Sequence, residues 1–333
     1  MFLLSFRIAL NVVDSNVIDV GYAGVIGADR VVDGDQLYGE GFSGDVERGD
    51  TYGPLSYLAY VPFEQALPWS GRWDDLPAAH GAAISFDLLV VGGLLLLGFR
   101  LRRGREGRLL GLALAYAWAA FPYTAFALET NSNDSLVALA CVLAMLALTI
   151  SPARARLGAA ARAVAVGLGT TAKFVPLALA PLFAFHPARG RSRPLVFALA
   201  LLAVLALSVI PFVPDGGLRE LYDRTLGYQV SRPSPFSIWG QASIGWLHTL
   251  VKLAAVGLAL ALAFVPRERE PRQTAALGAA VLIALQLAAT HWFYLYVVWF
   301  LPFVLVACLG AYRTHARDDA GVPPAHEREV VLA

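Results

Sequence analysis

Long apolar runs separated by short polar segments form the dominant pattern along this chain. Most of these runs are close to the roughly 20 residues that a helix needs to cross the hydrocarbon core of a bilayer. The runs cover residues 78–99, 109–128, 135–150, 195–213, 246–265, 274–290 and 293–311. With the shorter apolar runs included, the pattern predicts an all-α polytopic membrane protein with roughly nine to eleven membrane segments.

Two further apolar runs do not have the pattern of a simple span. The run 160–185 has arginines on both flanks, and positively charged flanks stay in the cytoplasm. This run therefore predicts a hairpin of two short helices that turns near residues 169–173. The run 54–68 carries Glu64 and internal prolines, which predicts an interfacial or re-entrant helix.

The distribution of charge predicts the orientation of these segments. Arginine-rich segments occur at 100–108, 152–162, 186–193, 266–272 and from residue 313 onward. The positive-inside rule places them in the cytoplasm and places the acidic first loop on the opposite side. The chain then divides into a partial first transmembrane helix (1–13), an extracytoplasmic loop (14–77), a transmembrane bundle (78–311) and a disordered cytoplasmic tail (312–333). The first helix is too short to span, so we expect an N-terminally truncated chain.

Composition excludes most other classes of protein. Hydrophobic residues make up 57% of the chain and charged residues 15%. In a soluble domain, about 45–50% of the residues are apolar and about 25% are charged. The sequence has no phosphate-binding glycine loop, no zinc-protease motif and no basic stripe for nucleic acid. Both cysteines lie inside apolar runs without metal-ligand spacing. We therefore expect no cofactor, no metal and no nucleic-acid partner, and we expect membrane lipid around the protein.

Several polar residues lie near predicted helix ends on the extracytoplasmic side. Lys173 is either a functional ionisable group at membrane depth or a side chain that extends to the interface. His291, beside Trp292, belongs either to a site or to the interfacial belt. The polar cluster 129–134 either caps a helix that begins near Ser135 or contributes to a site. The pattern alone leaves these alternatives open.

Five short motifs occur in a fixed order within residues 14–311. They are Asp19-Val20-Gly21-Tyr22, Gly34-Asp35-Gln36-Leu37-Tyr38, Thr51-Tyr52-Gly53-Pro54-Leu55, Lys173-Phe174-Val175-Pro176-Leu177 and His291. Their order resembles that of the GT-C glycosyltransferases and, within them, glycosyltransferase family 87, the polyprenyl-phosphate-mannose-dependent mannosyltransferases. Two features depart from that pattern: Gly53 stands where the family has a proline, and the first helix is incomplete.

The resemblance implies a GT-C-like transmembrane helix bundle with a long, structured first extracytoplasmic loop. It also implies inverting transfer of a sugar, mannose in this family, from a polyprenyl-phosphate donor to a cell-envelope glycolipid or glycan acceptor. Asp19 is then the general base, because an acceptor hydroxyl must lose its proton as it attacks. Lys173, His291 and Arg232 are the candidates for binding the donor phosphate. The candidates for other substrate contacts are Asp14, Tyr22, Tyr52, Asn131, Asn133, Asp134 and Gln241.

A transporter or flippase is the main alternative function. Broken helices near Lys173 suit such a protein, since transporters bind substrates where helices are interrupted. Against it, the sequence shows no inverted repeat, and its acidic residues collect in a loop instead of within spans. A non-catalytic membrane scaffold, or an inactive relative of the enzymes, is a third alternative.

Overall fold

A computed structural model of the chain consists of helices joined by short connections, which confirms the predicted all-α class. The structure describes residues 1–42, 44–72, 76–186, 192–232, 234, 236–242, 244–266 and 269–311. The predicted tail 312–333 lies outside the described residues, as does the short segment 73–75 of the first loop.

The helices vary widely in length, from 4 to 25 residues. In chain order they are α1 Phe2–Val13, α2 Asp19–Asp33, α3 Leu55–Leu58, α4 Val61–Ala66, α5 Pro77–Leu101, α6 Gly104–Ala120, α7 Pro122–Glu129, α8 Asp134–Leu148, α9 Ala155–Ala172, α10 Ala180–Ala184, α11 Ser192–Val209, α12 Gly217–Tyr222, α13 Tyr228–Ser231, α14 Ile238–Gln241, α15 Gly245–Ala261, α16 Pro271–Ala288 and α17 Val297–Leu309. Short 3₁₀ segments cover Gly44–Val46, Gly49–Thr51, Pro152–Arg154, Val175–Leu179, Ile210–Phe212 and Tyr294–Tyr296, and a π-helical turn covers Asp223–Gly227.

Within the described residues, fewer helices than predicted are long and apolar enough to cross a membrane unaided. These are the segments Pro77–Leu101 and Arg193–Phe212. If each of two bent pairs counts as one span, the described residues hold up to four: α6 with α7 is bent by 60°, and α8 with α9 by 111°. The first bend breaks the run predicted at 109–128, because Pro122 has no backbone N–H to continue a helix.

The core of the bundle is formed by neighbouring long helices. α5 packs on α6 and α8, α9 packs on α8 and α11, and α17 packs on α16 and α8. The α5–α6 contact is very close, since a Cβ atom added at Gly98 would lie 2.1 Å from the backbone nitrogen of Gly111. Small residues allow backbones to approach in this way, and membrane helices depend on such packing because lipid supplies no hydrophobic drive.

A buried ion pair fixes α1 against the bundle. The Nη2 atom of Arg7 donates to Oδ1 of Asp87 in α5 at 2.8 Å. The indole nitrogen of Trp118 donates to the same oxygen at 2.8 Å, and the other guanidinium nitrogen reaches Thr124 Oγ1 at 3.2 Å. Ionisable groups inside a membrane protein are costly unless they are paired in this way. No local pattern in the sequence predicts this anchor, because its partners lie 80 and 117 residues from Arg7.

The first loop, residues 14–77, folds into a compact layer against the start of α5. It contains the 15-residue helix α2, and it has the two short helices α3 and α4 where a single helix was predicted at 54–68. Its core is aromatic, with Tyr38, Tyr57 and Tyr60 fully buried. The Tyr57 hydroxyl donates to the Gly49 carbonyl at 2.6 Å and accepts from the Tyr52 backbone nitrogen at 3.0 Å. These bonds hold the segment around Tyr52 in place.

Candidate functional site

A buried carboxylate and a lysine form the polar centre of the site. Asp134, the first residue of α8, is 1% exposed, and Lys173, directly after α9, is 7% exposed. The Lys173 Nζ atom donates to Oδ1 of Asp134 at 2.6 Å, and Trp299 Nε1 donates to the same oxygen at 2.6 Å. The hydroxyl of Ser132 donates to the second carboxylate oxygen. Every oxygen of this carboxylate is therefore engaged, which makes Asp134 a counter-ion to Lys173.

The first loop docks directly onto the helix end that presents Lys173. The Gly53 backbone nitrogen and the Ser56 hydroxyl both donate to the Ala172 carbonyl, at 3.3 and 2.9 Å. A Cβ atom at Gly53 would lie only 2.1 Å from the Thr171 carbonyl oxygen. Glycine at this position, a departure from the family pattern, is therefore required here by the close approach of two backbones.

An apolar cavity of about 250 Å³ lies beside this polar centre. Its lining residues are Tyr52, Ala172, Lys173, Phe174, Val175, Leu226, Gln229, Val230, Lys252, Leu285, Gln286, Ala289, Thr290, His291, Tyr296 and Trp299. Lys173 Nζ faces three aromatic rings, with centroids 5.4 to 5.8 Å away. The ring of His291 packs edge-to-face on Tyr296 with centroids 6.1 Å apart. We call this space the apolar cavity.

A second, polar cavity of about 300 Å³ adjoins it. Its lining residues are Asp19, Ala23, Val46, Glu47, Arg48, Gly49, Thr51, Tyr52, Tyr228 and Arg232. Asp19 is exposed and begins α2, where the helix dipole favours a negative charge. Its Oδ1 atom accepts from the Val20 backbone nitrogen at 2.9 Å. The guanidinium carbons of Arg48 and Arg232 lie 5.4 and 5.9 Å from the ring centroid of Tyr228.

Tyr52 lines both cavities and stands between them. Its ring centroid is 5.5 Å from Lys173 Nζ on one side, while Asp19 and Arg232 line the cavity on the other. Burial raises the pKa of the Tyr52 hydroxyl well above its usual range, and the nearby Asp19 carboxylate adds to this shift. Tyr52 is therefore a neutral side chain with a hydroxyl that can donate a hydrogen bond.

Asn131, one of the predicted substrate contacts, holds two segments of chain together. It is fully buried with a backbone φ of 51°. Its Nδ2 atom donates to Ser15 Oγ and to the Asn16 carbonyl, both at 3.0 Å, and its Oδ1 atom accepts from Asn11 at 2.8 Å. Asn131 therefore joins the α1–α2 connection to the turn before α8.

The other predicted substrate contacts line neither cavity. Asp14 is exposed at the end of α1, Gln241 is exposed at the end of α14, and Tyr22 is buried in the first-loop layer. Asn133 precedes α8 at the N-cap position, but its side chain makes no capping hydrogen bond. Both of its buried side-chain polar atoms have no hydrogen-bond partner. Among the predicted residues that the structure describes, the two cavities are thus lined by Lys173, His291, Tyr52, Asp19 and Arg232. Asp134 lines neither cavity but contacts Lys173.

Several residues of the site were not predicted from the sequence. Lys252 on α15 lines the apolar cavity, as do Trp299 and Gln286. Lys252 carried a usable signal, because the chain has 26 lysines and arginines and only Lys173 and Lys252 are lysines. Both of these lysines line the same cavity. Trp299 carried no such signal, since an indole in an apolar run is ordinary in a membrane helix.

Taken together, the bent helices, the structured first loop and the buried polar centre define a multi-pass membrane protein with two adjoining ligand-sized cavities. The model of glycosyltransferase family 87 matches residues 51–327, and the chain therefore belongs to that family. The matched region includes Lys173 and His291, whereas Asp19 precedes it. No curated protein sequence matches the chain.

A solved structure with a similar fold is that of ArnT from Cupriavidus metallidurans bound to undecaprenyl phosphate. The similarity has a TM-score of 0.61 at 15% sequence identity, and it covers 93% of this chain and 58% of the ArnT chain. The protein described here therefore spans little more than half the length of ArnT. The shared architecture confirms the expected fold, a bundle of membrane helices like that of ArnT.

Proposed function

We propose that the protein transfers a sugar, mannose in the first instance, from a polyprenyl-phosphate donor to a hydroxyl of a cell-envelope glycolipid or glycan. The reaction takes place on the extracytoplasmic face and inverts the anomeric centre. Asp19 is the general base, while Lys173 and His291 bind the donor phosphate. Arg232 was expected to bind that phosphate too, but it lines the polar cavity, and we assign it to the substrates on that side. No cofactor takes part.

The observation that carries this proposal is the position of Tyr52 between two unlike cavities. The apolar cavity holds a lysine and a histidine, which suits a phosphate attached to a hydrocarbon chain. The polar cavity is lined by two carboxylates, two guanidinium groups and two tyrosines, which suits a hydroxylated acceptor. A sugar bound beside Tyr52 would have the leaving phosphate on one side and the attacking hydroxyl on the other.

This arrangement supports an in-line displacement. The acceptor oxygen attacks the anomeric carbon as Asp19 takes its proton, and the bond from that carbon to the phosphate oxygen breaks. The electron pair leaves with the phosphate, so the lipid phosphate gains one negative charge and Asp19 loses one. Attack from the side opposite the leaving group inverts the anomeric configuration. One carboxylate suffices, because a phosphate leaves without being protonated, whereas glycosidases use two carboxyl groups.

Asp134 is a poorer candidate for the base than Asp19. Its oxygens accept hydrogen bonds from Lys173, Trp299 and Ser132, it is only 1% exposed, and it lines neither cavity. Within the described residues, Glu47 is the other carboxylate that lines the polar cavity. It therefore serves as the comparison for Asp19 in the experiment below.

The choice of polyprenyl phosphate as donor has two supports. ArnT, whose fold this chain shares, was solved with undecaprenyl phosphate bound. In this chain, aliphatic and aromatic side chains make up most of the lining of the apolar cavity, and such a lining favours a hydrocarbon ligand over a nucleotide sugar.

The test is sugar transfer by the purified protein in nanodiscs, with labelled polyprenyl-phosphate mannose and a glycolipid extract as acceptor. We expect wild-type transfer and a loss of about 10²–10⁴-fold in Asp19→Asn, the usual contribution of a positioned base. Asparagine retains the oxygen that accepts from Val20, so the helix start is preserved. Asp33→Asn is the matched control, since it is exposed at the other end of α2 and lines neither cavity.

Unchanged transfer in Asp19→Asn together with loss in Glu47→Gln would move the base to Glu47. Parallel reactions with polyprenyl-phosphate glucose and arabinose identify the sugar. In liposomes, movement of the labelled lipid across the bilayer by the wild type without covalent transfer would favour a transporter over the enzyme.

A further inference from the structure

Lys252 lines the apolar cavity although no motif or resemblance drew attention to it. It lies on α15, which begins at Gly245, so it is roughly 10 Å along the helix axis from that end at 1.5 Å per residue. A lysine at such depth in a membrane helix is expensive and is a functional candidate by default. Its side chain is exposed and faces the cavity that also receives Lys173.

The charges around the apolar cavity do not balance. Lys173 is neutralised by Asp134 through a direct contact of 2.6 Å. Among the described residues that line this cavity, none is an aspartate or glutamate. Lys252 therefore adds a positive charge without a carboxylate in the lining, next to mostly apolar walls. Although Lys252 is exposed, the apolar walls keep water from part of the surface of an anion bound in the cavity, which strengthens its attraction to the ammonium group.

The proposed reaction creates one negative charge in this cavity. The donor is a phosphate diester with a single charge, whereas the departing polyprenyl phosphate is a monoester with close to two charges above its second pKa of about 6. In the transition state the phosphate already carries part of this second charge. A cation that binds the more highly charged phosphate better than the donor therefore lowers the barrier, because only interactions stronger in the transition state accelerate a reaction.

We propose that Lys252 is the cation that stabilises the second negative charge on the polyprenyl phosphate as the sugar leaves. This inference rests on the proposed function. Lys173 then anchors the phosphate in both states, while Lys252 discriminates between them. Lys252 is expected to matter more for catalysis and for product binding than for donor binding.

The test measures binding of two ligands by the protein in nanodiscs of neutral phosphatidylcholine at pH 8. One ligand is polyprenyl phosphate, and the other is its monomethyl ester, which carries one charge. We expect the wild type to prefer polyprenyl phosphate, and Lys252→Gln to reduce that preference about 10- to 100-fold, the size of one charge-assisted hydrogen bond. Lys252→Arg should retain most of the preference. Arg219→Gln is the control, because Arg219 is exposed and lines neither cavity.

Two outcomes would overturn the assignment of Lys252 alone: equal binding of both ligands by the wild type, or an unchanged preference in Lys252→Gln. The wild-type comparison needs no variant, so it remains decisive if Lys252→Gln does not fold. Failure of the wild type to bind either ligand would overturn the proposed donor class as well, which separates the two failures.

Discussion

Replacement of Asp134 by asparagine would leave the Lys173 ammonium buried without its counter-ion. In the native protein the two groups are 2.6 Å apart, and the lysine is 7% exposed. Asparagine has nearly the same shape and retains an oxygen that can accept from Trp299. The substitution therefore removes the charge and little else. We expect Asp134→Asn to be strongly destabilised.

The magnitude follows from what is left unpaired. Removal of one partner of a buried ion pair costs about 3–5 kcal/mol, because the remaining charge has lost both water and counter-ion. At about 2 °C per kcal/mol for a chain of this size, the melting temperature should fall by roughly 6–10 °C. The double variant Asp134→Asn/Lys173→Met has no buried charge at this position. Its melting temperature should return close to the native value, since apolar replacement of a buried pair is often neutral.

The assay is thermal unfolding in detergent micelles, followed by the fraction of monodisperse protein after heating. The native protein, both single variants and the double variant complete the cycle. A melting temperature for Asp134→Asn within 2 °C of the native one (about 1 kcal/mol) would contradict the account of Asp134 as counter-ion. A double variant no more stable than Asp134→Asn would contradict it equally.

The remaining predictions concern packing and the second ion pair. Gly53→Ala should cost about 1–3 kcal/mol through the clash with the Thr171 carbonyl and should lower sugar transfer, whereas Gly92→Ala, which faces open space, should be neutral in both assays. Arg7→Met should lower the melting temperature about as much as Asp134→Asn because it strands Asp87 in the bundle. An unchanged melting temperature in Gly53→Ala would refute the close packing at Gly53. An unchanged melting temperature in Arg7→Met would refute the role of the Arg7–Asp87 pair.

Apolar runs predicted the helical class well, because a membrane span needs a long stretch of apolar residues and little else. The same signal failed where a helix bends. The break before Pro122 divides the run predicted at 109–128 into α6 and α7, because proline lacks the backbone N–H that a continuing helix needs. The run 54–68 was also predicted as one helix, and it forms the two short helices α3 and α4, with Pro62 in the first turn of α4, the position where a helix tolerates proline.

The site was predictable only where a residue type was unusual for its surroundings. Lys173 and His291 are polar groups between apolar runs, and both line the apolar cavity. Asn131 is equally polar, but its hydrogen bonds go to segments more than 100 residues away. Sequence separation hides such partners, so a structural asparagine and a binding asparagine share the same local pattern. Lys252 is the opposite case: it lies inside an apolar helix and was not predicted as a site residue, yet it lines the apolar cavity.

The same polar arrangement, a carboxylate with a cation and an indole, occurs twice in the molecule. One copy has a structural role, and the other faces the proposed ligand site. Asp87 and Asp134 each accept, through one oxygen, a hydrogen bond from a cation and another from an indole. The cation at Asp87 is Arg7, whose terminal nitrogens also donate to backbone carbonyls and a threonine hydroxyl, which fits a fixed anchor between helices. The cation at Asp134 is Lys173, which has donors beyond its carboxylate bond and faces the apolar cavity. An identical counter-ion thus serves packing at one place and presents an ammonium group to a ligand at the other.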